Sequence, residues 1–506
     1  MADKKYKVLE LFCGAGGFSL GFKLYTEKNY HPFEIVGALD CDASAINTVR
    51  SSLIRAGYEH DKAEKITICG DIREDSVKQK LYKACTEVDI IIGGPPCQSF
   101  SMIGPRSGSP EKQEGNVTDY RNDLFEHYIE VVNHYRPLYF VFENVLGILS
   151  KKDKNGVRYI EKITERLKKA GYCLRNSNPS ITMDFLVLNA ADYGVPQLRE
   201  RVIIIGNRIN RTNPFPKPTH CPPEKTRTTG LLPYVTLHDA ISDLPPVMPK
   251  ITATAASKMK KGDQVCEIRR QKIAQRNLRR NCGTDPADYH RKAFEQIRFT
   301  RSKARKGFLR FVMPKSEDAV LTGHIARSHQ QSDIILFRFM EAGTSSKALF
   351  THDTLRNRRL KSLIKYKMDS FEDKYKKLSW EKPCSTIFAH LAKDGNRFIH
   401  PDSRQGRTIT VREAARIQSF PDEYIFEAIG NRRFTYIGNA VPPLLSMAIA
   451  NTLFHALSAR DGQEVGTGYE ATGTDTVSPS GKVDVKSKEA RCKNMAAIKS
   501  QARVLG

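Results

Sequence analysis

Through residue 206, short apolar runs alternate with segments whose apolar residues recur at helical spacing. Lys7–Phe12 predicts a strand ending in a glycine-rich turn, Glu34–Leu39 a second strand, and Asp42–Arg55 the helix that follows. Lys65–Cys69 predicts a third strand, with a helix after it through Cys85. Val88–Ile92 and Leu138–Phe142 are continuous apolar runs, as in strands covered on both faces. Asn122–Tyr135 and Tyr159–Ala170 read as helices, and Ile181–Leu188 and Arg201–Ile205 as the last two strands. Strands separated by helices predict an α/β fold, a mostly parallel sheet with helices on both faces.

The alternation stops between Asn207 and Gly406. Pro214, Pro216, Pro218, Pro222 and Pro223 mark loops there, as does Thr226–Gly230. Helical spacing returns over Thr410–Ser419 and Val441–Leu457, and beyond Asp461 the chain is polar and rich in Gly, Ser and Thr. The expected organisation is 1–206 and 407–460 as two parts of one domain, 207–406 as a second and less regular domain, and 461–506 as a flexible basic tail. No apolar run approaches the ~18 residues of a membrane span, and no leader-like stretch follows the N-terminus. A cytoplasmic protein is expected.

Charge sharpens this picture. The 506 residues carry 81 Lys and Arg against 56 Asp and Glu, a net +25. Residues 250–310 hold 18 Lys and Arg against 5 Asp and Glu, so about half of the excess sits in an eighth of the chain. Such a concentration fits a polyanion, most simply a nucleic acid. Arg269, Arg270, Lys272, Arg276, Arg279 and Arg280 suit a helix face against phosphates, and equally a solvated helix surface. Eleven cysteines without a C-x-x-C pair fit free thiols and give no structural zinc pattern.

Four motifs carry candidate chemistry. Leu11–Phe18 (LFCGAGGF) closes the first strand with glycines that let a ligand approach backbone N–H groups. Its spacing departs from the dinucleotide fingerprint, because Ser19 stands where the third glycine belongs. Asp40, ending the next strand, is placed for ribose hydroxyls, and Asp71, after the third, for an exocyclic amine. Gly93–Ser101 (GGPPCQSFS) follows the fourth strand, and its two prolines stiffen the approach to Cys97. Cys97 reads as a nucleophile, since a loop of Gly, Pro and Ser makes a poor apolar pocket for a structural thiol. Residues 99–119 suit a loop that closes over substrate. Glu143-Asn144-Val145 puts a carboxylate at the same rim. Gln197-Leu198-Arg199-Glu200-Arg201 puts two arginines two residues apart, either aimed at a polar site or paired on the surface.

Together with Thr410–Asp422 (TVREAARIQSFPD) and Gly438–Pro443 (GNAVPP), these motifs resemble, in order, those of the DNA (cytosine-5) methyltransferases of bacterial type, over roughly residues 5–457. The resemblance implies a Rossmann-like methyltransferase fold that uses S-adenosylmethionine as methyl donor, with no metal, and a target-recognition domain at 207–406. Phe12, Gly14, Ala15, Gly16 and Gly17 would hold the donor, with Asp40 at its ribose and Asp71 and Ile72 at its adenine. Pro95, Leu124 and Asn439 match further cofactor-side positions. Cys97 would add to C6 of a cytosine flipped out of the duplex, with Glu143 at N3 and N4, Arg201 supported by Arg199 at the O2 side, and Gln98 and Ser101 on the substrate loop. Double-stranded DNA is the implied partner of a monomeric enzyme. A cognate restriction enzyme, a mismatch-repair endonuclease or other defence proteins are its expected associates.

Residues 483–500 resemble the opening of very-short-patch repair endonucleases, yet leave no room for that family's catalytic domain, so no nuclease activity is expected. Two other readings are a transfer-RNA substrate, disfavoured by the ~200-residue recognition segment, and a catalytically dead DNA-binding protein, disfavoured by intact Cys97, Glu143 and Arg201. Neutralising several Lys and Arg within 250–310 is expected to weaken DNA binding and flatten its salt dependence, each lost phosphate contact lowering the log–log slope by about 0.9. Unchanged binding across a salt titration would place the DNA interface elsewhere.

Overall fold

The computed structural model describes residues 4–96, 123–251, 297–298, 307–313, 320–351, 354–364, 374–393 and 395–460. Cys97, Gln98, Ser101, most of the basic stretch 250–310 and the segment 461–506 lie outside the described residues.

Seven strands form the central sheet: β1 Tyr6–Leu11, β2 Phe33–Asp40, β3 Thr67–Cys69, β4 Ile90–Gly93, β5 Tyr139–Asn144, β6 Leu186–Asn189 and β7 Glu200–Asn207. Their order is β3-β2-β1-β4-β5-β7-β6. The first five are parallel, as expected, while β7 runs antiparallel to both β5 and β6. The last two predicted strands therefore form a hairpin-like edge, and the strand expected over 181–188 shortens to Leu186–Asn189. This reversal has a consequence for the site: the start of β7 lies at the same sheet edge as the end of β5, with Glu143 opposite Ile203 and Asn144 opposite Val202.

Strand side chains alternate between two cores. Val8, Ile90, Ile92 and Val141 face one layer, built with α1 (Gly17–Leu24), α2 (Ala43–Arg55) and the final helix α3 (Pro443–Arg460). Leu9, Leu11, Ile91, Phe140 and Phe142 face the other, packed with the helices Asp75–Ala84, Leu124–Tyr135 and Tyr159–Lys169. Arg432–Arg460 contains a stretch with the length and apolarity of a membrane span, a feature missed by reading the sequence for unbroken apolar runs. It is 61% buried, and Leu445, Ile449 and Leu453 account for its apolarity as core residues.

A third core joins Leu237, Ala240, Phe308, Leu378 and Phe398 to Ile409, Ala414, Phe420 and Tyr436, and reaches Ala15 of the first motif and Leu20 of α1. Its centre is the helix Val411–Ile417. Thr410 caps it: the hydroxyl accepts from the Glu413 N–H at 3.1 Å, and the Glu413 carboxylate accepts from the Thr410 N–H at 2.7 Å. Glu413 also takes a bidentate ion pair from the buried Arg407, both bonds at 2.7 Å. That pair holds the Glu413 carboxyl well below the usual range against the opposing cost of burial.

Three histidines sit in or beside this charged core. Burial pushes His324 and His329 down to about 4 and His400 down to about 3. All three are neutral in the folded protein near neutrality, whereas an unfolded histidine protonates near pH ~6.5. The unfolded chain therefore binds more protons below that value, and stability falls as pH drops from ~6.5 toward 4. The buried Glu10, whose carboxyl burial pushes up to about 8, releases a proton on unfolding and offsets part of this, so urea midpoints are expected to decline across this range with a net proton uptake on unfolding of about two near pH 5. A flat profile between pH 7 and 5 would contradict the buried neutral histidines.

Candidate active site

The carboxyl ends of β1, β2, β3, β4 and β5 share one edge, where open α/β sheets bind ligands. After β1 the chain turns through Phe12, Gly14 and Gly16, all at positive φ, into α1. Gly14 adopts φ +50, and a Cβ there would meet nothing within 4 Å, so the space in front of the turn is open. Gly17 is glycine for a different reason: a Cβ would come within 2.4 Å of the Val441 carbonyl oxygen. The turn thus faces open space at Gly14 and is pressed against the returning C-terminal segment at Gly17. Ala15 is buried, and its carbonyl accepts the Tyr424 hydroxyl.

Asp40 supports this turn directly. Its carboxylate accepts from the Gly14 N–H at 2.8 Å and the Asp42 N–H at 2.9 Å. Burial raises the Asp40 pKa, and these two donors oppose the rise. Asp71 is held by Arg73, whose hydrogen bonds keep its carboxyl below the ordinary range. Ile72 is buried beside it, Leu124 is buried at the start of its helix, and Asn439 is exposed at the end of Arg432–Asn439. Asp42 was not singled out by sequence. It caps α2 and accepts from the Tyr436 hydroxyl at 2.8 Å and from Arg432 at 2.7 Å. A capping Asp is visible in sequence, but its partners lie 390 residues away and carry no local signal.

Glu143 is the penultimate residue of β5, at 8% exposure, and Arg201 the second of β7, at 9%. Arg201 Nε donates to Glu143 Oε1 at 2.8 Å. Burial lowers the Arg201 pKa, and Glu143 counters it. The approach to Cys97 passes alongside: a Cβ on Gly94 would lie 2.5 Å from Glu143 Oε2. Asn144 Nδ2 donates to the carbonyl of buried Pro95 at 3.1 Å, which fixes the turn two residues before Cys97.

Arg199 does not share this pocket. Its guanidinium donates to the carbonyls of Ile387 at 2.8 Å, Gly438 at 2.9 Å and Ala440 at 3.0 Å. The expectation that both arginines face one polar site gives way to a division. The backbone between them passes from the short strand Gln197–Leu198, paired with Cys384–Ser385, into β7, so the simple i, i+2 alternation of one strand does not apply. Arg199 ties the strand entrance to the closing segment, and Arg201 meets the carboxylate.

A mostly parallel, Rossmann-like sheet with a glycine turn and a buried Glu–Arg pair at its carboxyl edge defines a methyltransferase-type α/β protein. The family model for C-5 cytosine-specific DNA methylase matches residues 6–455, and the chain belongs to this family. It is a DNA cytosine-5 methyltransferase. It is 30% identical to Type II methyltransferase M.AgeI of Thalassovita gelatinovora, over 89% of this chain and 100% of that protein. It is 31% identical to Type II methyltransferase M.DdeI of Desulfomicrobium norvegicum, over 88% of each. In fold it is similar to a crystal structure described as a prophage-encoded DNA modification methyltransferase (E. coli), with a TM-score of 0.55 and 21% identity over 90% of this chain and 100% of that one.

Gly94→Ala is expected to lower kcat/KM by about 10²-fold while leaving the protein folded, because the added methyl would stand 2.5 Å from Glu143 Oε2 and push that carboxylate out of place. Steady-state methylation with a parallel melting curve checks this, and parental activity would show that Glu143 adjusts freely.

Proposed function

We propose that this enzyme methylates C5 of a flipped-out cytosine within a specific duplex sequence, through a covalent bond between Cys97 and C6. The observation that carries the reading is the buried Glu143–Arg201 pair beside the Gly94–Pro96 approach to Cys97.

The cytosine ring is electron-poor at C5. Addition of the Cys97 thiolate to C6 forms a C–S bond and moves the C5–C6 π pair onto C5, which becomes nucleophilic. Glu143 faces N3 and N4 of the base, favouring protonation at N3 as the thiolate adds. Arg201 holds the Glu143 carboxylate, gives one Nη1 hydrogen to the Glu200 carbonyl at 2.7 Å, and turns its other N–H groups to the O2 side. Arg199 acts as a positioning residue for Arg201. Once C5 carries the methyl group, loss of its proton to solvent or a base restores the double bond as the C–S bond breaks, releasing Cys97. Gln98 and Ser101 belong to the loop that closes over the extruded base.

The chain's residues fit S-adenosylmethionine: open space lies before Gly14, a carboxylate at Asp40 abuts the turn, and Asp71 and Ile72 follow the third strand. When bound, the group supplies an electrophilic methyl. Phe12, Ala15, Gly16, Gly17, Pro95, Leu124 and Asn439 complete its surroundings. Asp40 would hold the ribose hydroxyls with the lone pairs that the Gly14 and Asp42 N–H groups leave over. The likeness to Type II methyltransferases supports a place beside a cognate restriction enzyme, with methylation protecting host DNA. The segment 207–406 reads the target, and 407–460 completes the catalytic domain.

Bisulfite sequencing of DNA from cells expressing the enzyme is expected to show 5-methylcytosine at one recurring sequence. Cys97→Ala is expected to abolish it, and Glu143→Gln to slow single-turnover methylation by roughly 10²–10⁴-fold. A Cys97→Ala protein that methylates at the parental rate would remove Cys97 as the nucleophile.

A further inference from the structure

The sheet has a second edge. At the amino ends of β1, β4 and β5, beside the end of β7, lies a groove of about 590 Å³. Its rim carries Lys5, Arg136, Arg208 and Arg460, all exposed and none paired with a carboxylate among the described residues. Lys7 also lines it, but pairs with Glu87, and its N–H donates to Asp89 at 2.8 Å. The Lys7 ammonium thus offsets Glu87, and against the one remaining carboxylate, Asp89, four further cations face shared space. Such a local excess of positive charge attracts anions.

We propose that this groove is a second DNA-binding site, which grips the phosphate backbone of a DNA segment other than the one being methylated. Three observations favour that occupant. First, the groove sits at the opposite edge from Glu143 and Arg201: Ile90 and Tyr139 begin their strands here, and Asn207 pairs with Tyr139. Strands of four to eight residues at ~3.3 Å each separate the two edges by at least ~13 Å. A duplex with a persistence length of about 150 bp does not fold back over that span, so the segment here is a distinct one. Second, the described aromatic rings that line the groove are engaged with one another. His134 is stacked on Tyr82 with centroids 3.5 Å apart, and Tyr135 packs edge-on against both rings. Charge without a stacking surface reads phosphates, not nucleobases. Third, the substrate is itself a polymer, so a bound enzyme meets further phosphates at high effective concentration.

The test uses the full chain and the triple variant Lys5→Gln/Arg208→Gln/Arg460→Gln, whose changes are all on the surface. Enzyme bound to an immobilised short duplex containing the methylated sequence is offered a second, labelled duplex. The parent is expected to capture it, with capture falling steeply with salt. The variant is expected to capture roughly tenfold less, with a log–log salt slope shallower by about 2–3. Both are expected to methylate the short duplex with the same kcat/KM, which separates failure of this site from failure of the catalytic reading. Equal capture by parent and variant overturns the proposal. So does a variant that loses tripolyphosphate binding but still captures the second duplex, because the groove would then serve a small polyphosphate.

Discussion

A single guanidinium joins parts of the chain that are far apart in sequence. Arg199 is fully buried, and its three hydrogen bonds end on main-chain carbonyls of Ile387, Gly438 and Ala440. A side chain that binds carbonyls constrains the backbone of its partners whatever their side chains are. The entrance to β7 is therefore fixed relative to the segment that carries Asn439 and presses Val441 against Gly17. Arg201 follows two residues later and inherits that placement. The pairing of Arg201 with Glu143 and the closure of the glycine turn depend on the same clamp, and the ~200 residues between β7 and the closing segment are inserted into an otherwise continuous unit.

Around the clamp the protein buries charge instead of avoiding it. Arg407, Arg412 and Arg416 are at most 2% exposed. Arg416 reaches Asp422 and also Asp243, so it links the closing segment to the start of the inserted one. Arg412 spends its donors on Thr322, Pro421 and Tyr424. Desolvating such groups costs several kcal/mol each, and ion pairs in low dielectric return that only when their geometry is well satisfied. An apolar core of equal volume would tolerate sliding between the two parts, whereas this one accepts a single register. The carboxyl-edge site draws on both segments, and a directional core suits their alignment.

The sequence made the first five strands legible, because they are apolar runs separated by helices of ordinary length. It also exposed candidate site residues, since the glycine turn, the Gly94–Pro96 turn and the Glu-Asn-Val rim are local patterns that follow strands directly, while Cys97 lies outside the described residues. The direction of β7 was not legible: a buried strand reads the same in either sense, and only its hydrogen bonds to β5 distinguish them. Nor was the difference between Arg199 and Arg201. Both are buried arginines near one rim, and their duties separate only because distant carbonyls at 387, 438 and 440 surround the first. Helix Arg432–Asn439 went unread for a similar reason, since its apolar positions are few and its stability comes from Asp42 and the third core.

The contact between Gly17 and Val441 also sets a sequence of events in synthesis. The glycine turn is made early, but the carbonyl that seats it comes more than 400 residues later, as do the Tyr424 hydroxyl on Ala15 and the Ser446 hydroxyl on Phe18. At roughly 5–20 residues per second, the interval between β7 and α3 lasts on the order of 10–50 s. During that time the growing chain has every strand of the sheet and none of the segment that closes the turn. Methyl transfer therefore waits for nearly the last of the catalytic unit to emerge, and a truncated product made of the sheet alone would be silent on DNA.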